Sequence, residues 1–576
     1  MKLKRLKINQ SYRSLEQGFE INLEPNLRSE KLDPICFVGP NGSGKSNVLE
    51  ALADIFYYLD SFLLGYTADD NYVIPIKDFE IDYYLPNSIP GVYNPQHRWE
   101  NEFCLVKIKK RAGFLPVIDS LDGETSIPVP NKYLLPKKIW AYSSGENEIL
   151  SLPFLRMDLN YFEQLETNRD NQENLIIESN RLHYIDYDTC ASILLSNFIM
   201  LSNENEKHKL VIFKERFGIN KLSSFKFTIR QNYWMKKELK LPYEIDRFID
   251  SLTVNLPDSC LQVSDNGDMM FTINLEETDQ VEPFQNVASG ASGLYQYFES
   301  LTLLNTHTIA KHRREKIKNG DDPFYAYSNL YRPPNEKMPF IIEELMINME
   351  GIEEPIAYKT ISDGEHQALT ILGLFNMIDE DGVLCLLDEP ETHLNPKWKY
   401  GFIDTLNDIQ KNYKSQVITT THDPIFISGL RKEDVILFHS KTNTAEGQNR
   451  WSFPEKDLKG IGVDNLLTSP IFGLNSAIDF PTHEKMIDRR ILLSKQLRGI
   501  QFEEGEREKL EGLTTELSEI DGLNPIDDPI YRDFIEELSK EDTSVYYEKY
   551  ADAESEEKRK QTASLIIEKL KEQGKL

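Results

Sequence analysis

The feature that most constrains this chain is a glycine-rich stretch, GPNGSGKSN, at residues 39–47. It fits the pattern G-x-x-x-x-G-K-[ST] and follows the apolar run PICFVG. It precedes SNVLEALADIFYYLDSFLL, in which apolar residues recur at helical spacing. In such a strand, loop and helix, backbone N–H groups and the helix N-terminus surround phosphate groups. A glycine turn with an incidental lysine is the alternative, but it does not account for the flanking strand and helix.

Each residue type in this loop suits phosphate binding. Lys45 is expected to reach the terminal phosphates of ATP, and the Ser46 hydroxyl is expected to bind Mg²⁺. The residues predicted to contact the nucleotide are Gly39, Asn41, Gly42, Ser43, Gly44, Lys45, Ser46 and Asn47.

A second candidate element is the apolar run VLCLLDEPE, which predicts a buried strand ending at two carboxylates. Ligands of open α/β sheets bind at the carboxyl ends of the strands. Asp388 is therefore predicted to bind the metal ion, and Glu389 to polarise the water that attacks the γ-phosphate. A strand followed by a capped turn is the structural alternative.

Two further segments have competing interpretations. In ISDGEHQ, Ser362 and Glu365 form an S-x-x-E capping box before an apolar helix, and a capping box requires no ligand. In SQVITTTHDP, His422 follows an apolar strand, and a single histidine in that place is more often structural than functional.

Composition limits the classes of protein. Apolar residues are 40% and charged residues 28% of the 576, which is typical of a globular protein. With no apolar run of about 20 residues and no signal-peptide pattern, we expect a cytoplasmic protein without membrane contact. The cysteines are expected to be reduced core residues; they are Cys36, Cys104, Cys190, Cys260 and Cys385.

The net charge of −29 disfavours nonspecific adhesion to nucleic acid. DNA contact would need a local basic patch or a partner. The run KHRREKIKNG, followed by the aromatic DPFYAYSNLYRPP, could be such a surface, although a solvated helix followed by an ordered loop is the more common reading.

The order of the patterns predicts four parts. Residues 1–157 contain the phosphate loop and a flanking β-subdomain, and residues 158–250 are expected to be a helical insert. Residues 251–442 return to alternating helices and apolar strands, and residues 443–576 become charged helices.

At ISDGEHQ the chain resembles the ATP-binding-cassette (ABC) ATPases. Their signature loop lies one helix before the acidic strand, as Ser362, Asp363, Gly364 and Glu365 do, although Asp363 replaces the commonest glycine. ETHLNP resembles the loop that meets its twin across a dimer, and His422 resembles the switch histidine that senses the γ-phosphate. The resemblance implies an α/β P-loop NTPase head with a mixed and parallel sheet, an inserted helical lobe and a C-terminal helical extension.

The resemblance also implies a homodimer. In such ATPases the signature loop of one subunit completes the ATP site of the other, so Ser362, Gly364 and Glu365 would contact the partner's nucleotide. The family's glutamine loop has only Glu146 or Asn147 in its place here. Arg13, in SYRSL, resembles the FRS turn of RecF-like and SMC-like ATPases near the nucleotide, and a plain hairpin is the alternative.

Across nearly its whole length the chain resembles the stand-alone ATPases of bacterial anti-phage and restriction-associated operons, including the ATPase subunit of Septu-type systems and relatives of the OLD ATPases. No coiled-coil arm of the SMC kind interrupts it, and 443–576 lack the motif of a fused OLD-type nuclease. This resemblance implies a separate HNH nuclease partner and leaves higher assemblies of dimers open. The alternatives are a DNA-repair ATPase of the RecF or SMC kind and a nucleotide-locked scaffold with little hydrolysis.

Overall fold

The structure is a computed structural model, and it divides the chain into two compact units, Met1–Leu466 and Leu467–Leu576. It describes residues 1–27, 32–68, 72–86, 103–119, 132–145, 147–170, 180–186, 189–201, 207–230, 241–320, 322–330, 333–410, 413–439, 450–469, 471–472, 474, 478–497, 500–518, 537 and 553–572.

The strands of the described residues belong to three sheets. In chain order they are β1 (Lys2–Ile8), β2 (Phe19–Asn22), β3 (Asp33–Val38), β4 (Phe79–Pro86), β5 (Phe103–Lys110), β6 (Val117–Asp119), β7 (Ile139–Ser143), β8 (Leu182–Ile185), β9 (Ile219–Ile229), β10 (Leu261–Val263), β11 (Met269–Asn274), β12 (Phe340–Ile342), β13 (Met346–Met349), β14 (Ile356–Ala357), β15 (Leu384–Asp388), β16 (Gln416–Thr421), β17 (Val435–Phe438) and β18 (Trp451–Ser452).

The α-helices of the described residues lie between and after these strands. They are α1 (Lys45–Leu63), α2 (Glu148–Asp170), α3 (Cys190–Met200), α4 (Val211–Phe217), α5 (Tyr243–Asn255), α6 (Thr278–Val287), α7 (Gly290–Leu303), α8 (Lys311–Asn319), α9 (Pro323–Tyr327), α10 (Asp363–Met377), α11 (Pro396–Lys399), α12 (Phe402–Ile409), α13 (Pro424–Ile427), α14 (Val463–Leu467), α15 (Phe480–Leu497), α16 (Glu506–Ser518) and α17 (Ala553–Glu572). None of the described helices has the length and apolar character needed to cross a membrane.

The core sheet has the order β18-β17-β3-β16-β15-β7-β8. Its strands run parallel except at the β17–β18 edge. Every residue of β3, β15 and β16 is buried, as expected for a parallel sheet covered on both faces. The sequence predicted these apolar strands, and the predicted α/β class with a mixed and parallel sheet is confirmed.

An antiparallel sheet, β2-β1-β4-β5-β6, packs against the core through α1. Most of α1 is buried, because its apolar residues contribute to one continuous cluster with β1, β4 and the core strands. The β1–β2 hairpin and the β-subdomain after α1 were both expected from alternating polar and apolar residues. The rigid packing of α1 fixes the phosphate loop at its N-terminus.

The third sheet, β10-β11-β9-β13-β14 with β12 also pairing with β9, was not expected. Its central strand, β9, lies within 158–250, and β8 from the same range extends the core sheet. The range is therefore not wholly helical, although it also forms α3, α4 and part of α2 and α5. The exact four-part division of the chain stays a prediction.

The described part of the second unit consists mainly of charged helices, so the predicted C-terminal helical extension is confirmed. In its described part, α15 and α16 pack through Leu492, Leu510 and Leu513. Ion pairs flank this small core, with 2.7 Å between Lys509 Nζ and Asp488 Oδ2. The five cysteines of the chain are buried thiols, as expected.

Candidate functional site

The phosphate loop joins the end of β3 to the start of α1. Gly42 (φ 75°) and Gly44 (φ 103°) adopt left-handed backbone conformations that residues with a Cβ rarely adopt. A Cβ on Gly39 would lie 2.4 Å from the backbone oxygen of Phe438 on the neighbouring strand. Asn41 is exposed at the tip of the loop, whereas Ser43 is buried beneath it. The glycine spacing is thus required by the backbone path as well as by a ligand.

Lys45 lies folded against its own loop. Its ammonium group donates to Gly39 O (2.8 Å) and Pro40 O (3.1 Å) and is buried. Burial lowers the pKa of Lys45, while the charges of Glu389 and Asp388 act in the opposite direction. A γ-phosphate would offer this buried cation a stronger acceptor than two backbone carbonyls.

Asp388 is the centre of a hydrogen-bonded cluster at the carboxyl edge of the core sheet. Its Oδ1 accepts from Ser46 Oγ (2.8 Å) and Thr420 Oγ1 (2.6 Å), and its Oδ2 accepts from Asn147 Nδ2 (2.9 Å). The strand register explains the cluster, because Asp388 is aligned with Thr420 on β16 and with Ser143 on β7. Four distant parts of the sequence therefore meet at one carboxylate.

The donor set around Asp388 fits Mg²⁺. The described residues contain no group of three or more His, Cys, Asp or Glu side chains able to hold a metal ion. Mg²⁺ is commonly bound by one or two carboxylates together with substrate phosphates and water. Ser46 and Asp388 would hold it in this way, and the ion would neutralise charge on the phosphate oxygens.

Glu389 and His422 form a pair beside this cluster. His422 Nδ1 lies 3.0 Å from Glu389 Oε1, and both side chains are partly exposed. Glu389 has a positive φ of 50°, and its N–H donates to Thr420 O (3.2 Å) and Thr420 Oγ1 (3.1 Å). Such backbone strain is common at functional sites and directs this carboxylate outward from the end of β15.

The capping box predicted at Ser362 is present. Ser362 is the N-cap of α10 and accepts from Glu365 N (3.4 Å), while Ser362 N donates to Glu365 Oε2 (3.0 Å). The Ser362 hydroxyl also donates to Glu365 Oε2 (2.7 Å) and is exposed. The structural and the functional readings are compatible, because an exposed cap can exchange its carboxylate acceptor for a phosphate.

The start of α10 is joined to the loop after β15. Gln367 Nε2 donates to Pro390 O (2.6 Å), and Gln367 Oε1 accepts from His393 N (3.2 Å). A Cβ on Gly364 would lie 2.5 Å from His393 O. Gly364 therefore has a packing role, and the loop carrying ETHLNP cannot move independently of the helix behind Ser362.

Glu391 in the same loop is a buried acid. Thr421 Oγ1 donates to its Oε1, and its Oε2 is buried without a hydrogen-bond partner. Burial raises the pKa of Glu391 to about 8, so the carboxyl group is mostly protonated at neutral pH. This loop is thus fixed by neutral contacts beneath the half-buried Glu389.

The Arg13 turn is a hairpin packed beneath the phosphate loop. Tyr12 and Leu15 form an isolated antiparallel bridge, and Arg13 has a φ of 52°. Arg13 Nε pairs with Glu50 Oε2 at 3.0 Å, and Glu50 also accepts from Asn47 Nδ2 at 2.8 Å. Arg13 thus contacts α1 through Glu50, and its predicted role at the nucleotide stays a prediction.

Sequence reasoning missed some of the residues that support the site. Arg450 donates to Ser14 O (2.7 Å) and Ser43 O (3.1 Å), so it joins the hairpin turn to the phosphate loop. No motif signals this contact, because Arg450 lies more than 400 residues along the chain from Ser43. At the glutamine-loop position, Glu146 lies outside the described residues, and Asn147 contacts Asp388.

The basic run at 311–320 has partners on α2. Arg314 Nη1 lies 3.1 Å from Glu166 Oε2, and Lys318 Nζ lies 2.6 Å from Glu163 Oε2. Two of its cations are therefore neutralised within the chain, which favours the structural interpretation of α8.

Comparisons with known proteins identify the family of the chain. Residues 1–427 match the family model described as "AAA ATPase domain". No curated protein matches the chain.

Among solved structures, the chain is similar to SMC head domains. The head domain with an extended coiled coil bound to the C-terminal domain of ScpA, from Pyrococcus furiosus, has 13% identity and a TM-score of 0.28, covering 76% of this chain and 92% of that one. The head domain from Thermotoga maritima has 12% identity and a TM-score of 0.25, covering 74% and 91%. The head domain with a coiled coil and joint from Pyrococcus yayanosii has 12% identity and a TM-score of 0.27, covering 76% and 94%.

Proposed function

The chain belongs to the AAA ATPase domain family, and on that premise we propose that it hydrolyses Mg²⁺-bound ATP at a site shared by two copies of the chain. The observation that carries the proposal is the meeting of Ser46, Asp388 and Asn147 in one hydrogen-bonded cluster, with the Glu389–His422 pair beside it. A phosphate-binding loop, a metal-binding carboxylate and an outward carboxylate are the parts that phosphoryl transfer to water requires.

Each of these groups has a distinct role in the proposed reaction. Lys45 exchanges its two carbonyl acceptors for the terminal phosphates, and Ser46 and Asp388 hold the metal ion. Glu389 accepts a proton from the attacking water. His422 orients Glu389 from 3.0 Å away and donates a hydrogen bond towards the γ-phosphate when the pair opens.

The second copy supplies the signature helix. Ser362 is exposed and α10 begins next to it, so the hydroxyl and the free N–H groups of the helix can bind the γ-phosphate held by a partner's Lys45. Hydrogen bonds to charged groups contribute about 1.5–3 kcal/mol each. Two or three at each of two sites exceed the roughly 5.5 kcal/mol that converts a 1:99 equilibrium into 99:1. ATP would then close the dimer, and loss of phosphate would reopen it.

We further propose that this cycle controls a separate HNH nuclease in bacterial anti-phage defence. Support comes from the motif resemblance to ATPase subunits of Septu-type systems, and from the absence of a nuclease motif in residues 443–576. DNA contact would then occur through the partner or a local basic surface. A DNA-repair ATPase of the RecF or SMC kind is equally consistent with the family.

One observation favours a slower variant of the same cycle. Asn147, one of the two residues predicted for the glutamine-loop position, donates to Asp388. The Asn147 side chain is one methylene shorter than that of glutamine. It would therefore stay in contact with the metal site over a shorter movement of the helical lobe. A nucleotide-locked scaffold with little hydrolysis is therefore the second candidate, and phosphate release by the purified protein separates the two.

Mixing two inactive variants tests the shared site. Lys45→Ala removes the cation of the phosphate loop, and Ser362→Arg blocks the cap that acts on the partner's nucleotide. Each variant alone should be inactive. In an equal mixture about half of the dimers would be mixed, each with one intact site of two, so turnover should recover to about one quarter of wild type.

A trapped dimer provides the second readout. Glu389→Gln should bind ATP without hydrolysing it and should elute as a dimer only when ATP and Mg²⁺ are present. Glu433→Gln, at an exposed position away from the site, is the matched control and should behave as wild type. The shared-site proposal fails if the mixture stays inactive and Glu389→Gln stays monomeric with ATP.

A further inference from the structure

A cleft of about 1010 Å³ lies at the amino-end edge of the core sheet. Lys138 precedes β7, Arg181 precedes β8 and Glu380 precedes β15, and all three line this cleft. Because these strands are parallel, their amino ends lie together on the edge opposite Asp388 and the phosphate loop. The cleft is therefore separate from the candidate ATPase site.

Several aromatic residues line the cleft. Phe248 on α5 and Tyr297 on α7 are stacked, with ring centroids 4.4 Å apart and planes 8° from parallel. Tyr66, Tyr161 and Tyr243 also line the cleft, and the hydroxyl of Tyr66 is buried without a hydrogen-bond partner. Phe248 and Tyr161 are buried, whereas Tyr66, Tyr243 and Tyr297 are half-buried, so these three tyrosines can act as stacking surfaces for planar groups.

The cleft is also more basic than the chain around it. Its lining has five cations and three carboxylates, in a chain with a net charge of −29. Three of the cations are paired within the chain: Arg181 with Asp60 at 2.9 Å, and Lys137 and Lys138 with Glu380, which lies 3.2 Å from Lys138. Arg247 is exposed at the rim, with its guanidinium 5.8 Å from the ring centroid of Tyr243. A cation held over one face of an aromatic ring can present N–H groups to an anion, while the opposite face of the ring is available for stacking.

Amide side chains complete the lining. Gln164, Asn286 and Gln296 line the cleft, and an amide group carries both donors and an acceptor. Amides next to aromatic faces suit the edges of nucleobases, and the cations suit phosphates. An acidic peptide would use the cations but would leave the aromatic wall and the amides without a matching group.

We propose that this cleft binds single-stranded nucleotide units, with an unstacked base against the aromatic side and its phosphate near Arg247. The volume lies at the upper end of the range for small-molecule sites, so a few nucleotides fit. The ligand is either a free mono- or dinucleotide or part of a single strand. This proposal is independent of the ATPase function, because no residue of the phosphate loop lines the cleft.

Fluorescence anisotropy of the full-length protein tests the proposal. The probes are a labelled oligothymidylate with a 5′-hydroxyl group and a labelled 5′-phosphorylated dinucleotide, compared in low salt. Binding of the oligonucleotide alone identifies a strand as the ligand, and tighter binding of the dinucleotide identifies a free nucleotide. In either case affinity should fall as salt increases, because phosphate contacts release counterions.

Variants assign the binding to the cleft. Arg247→Glu should weaken binding about tenfold or more, whereas Arg313→Glu, the same change at an exposed position of α8, should weaken it less than about twofold. Tyr297→Leu should weaken binding about tenfold, because the variant cannot stack on a base. Arg247→Lys should retain most of the affinity. Lys45→Ala should bind as wild type, which separates this site from the ATPase site.

Three results would overturn the proposal. The first is no binding of either probe at protein concentrations on the order of 100 μM, the weak end of nonspecific binding. The second is equal weakening by Arg247→Glu and Arg313→Glu, which would indicate general electrostatic attraction. The third is binding of a polyglutamate peptide that depends on Arg247 when neither nucleotide probe binds, which would assign the cleft to an acidic peptide.

Discussion

The substitution Gly364→Ala tests whether α10, which carries Ser362 at its N-terminus, and the loop after β15 move as one rigid unit. In Gly364→Ala the new Cβ would lie 2.5 Å from His393 O, and real Cβ contacts are essentially never below 3.0 Å. The two elements must separate by at least 0.5 Å, the difference between these distances. The obstacle is a backbone carbonyl, which cannot rotate away as a flexible side chain could.

The structure limits how this strain can be relieved. His393 N and Pro390 O are both bonded to Gln367, so the loop cannot swing aside without breaking one of these bonds. Overpacking costs about 1–3 kcal/mol, which is partly offset by up to about 1 kcal/mol from the better helix propensity of alanine. The full offset leaves a net loss of stability of about 0–2 kcal/mol, while the positions of Ser362 and Glu389 change together.

We expect turnover of Gly364→Ala to fall about 10- to 100-fold, the scale of a misplacement approaching 1 Å in an active site. Affinity for ATP, measured by equilibrium binding, should stay within about threefold of wild type, because the phosphate loop of the same chain is untouched. Gly429→Ala is the matched control, since nothing lies within 4 Å of its added Cβ. Turnover of Gly364→Ala within about twofold of wild type would refute the reasoning.

Two further predictions concern residues beneath the site. The pKa of Glu391 is about 8 in the folded chain and 4.5 in the unfolded one. The unfolded chain therefore loses this proton at a lower pH than the folded chain does, so the free energy of unfolding falls as pH rises from 4.5 to about 8. The total fall is on the order of 5 kcal/mol. The difference in melting temperature between Glu391→Gln and wild type should therefore be more in favour of the variant at pH 8.5 than at pH 5. The exposed control Glu433→Gln should show the same dependence of melting temperature on pH as wild type, and the same result for Glu391→Gln would contradict the prediction. Arg450→Gln should weaken ATP binding at least about tenfold, because two hydrogen bonds from a charged group hold the turn against the phosphate loop. Titration calorimetry measures this loss; exposed Arg490→Gln is the control, and unchanged affinity in Arg450→Gln would show that the loop holds its shape unaided.

The parts of the site that depend on local backbone were predictable from the sequence. The glycines at 39, 42 and 44 and the capping box at Ser362 each specify a conformation within a few residues. The apolar strands ending at Asp388 and before His422 were predictable for a similar reason, because a strand covered on both faces has no polar alternation.

Contacts between distant segments were not predictable in the same way. Strand β9 alternates apolar and polar residues over 225–229, a strand pattern that sequence reasoning missed. Its pairing with β11, β12 and β13, which follow it by 40 residues or more, was not predictable from that pattern. Arg450 lies in no recognisable motif, and Gln367 ends the segment ISDGEHQ without a role assigned from its pattern. The partners of both are backbone groups, which any sequence provides. One sequence therefore shows which residues can bind a nucleotide but not which residues hold them in place.

The hydrogen bonds of Gln367 also connect the two ATP sites of the proposed dimer. Glu389, beside the nucleotide of its own chain, is followed directly by Pro390, whose carbonyl accepts from Gln367 one turn into α10. The N-terminus of the same helix carries Ser362, which in the proposed dimer contacts the nucleotide of the other chain. A change in Glu389 and His422 on loss of the γ-phosphate would therefore move the cap over the opposite site. Since the packed carbonyl of His393 allows no slack at Gly364, the two sites of a dimer should open together rather than in turn.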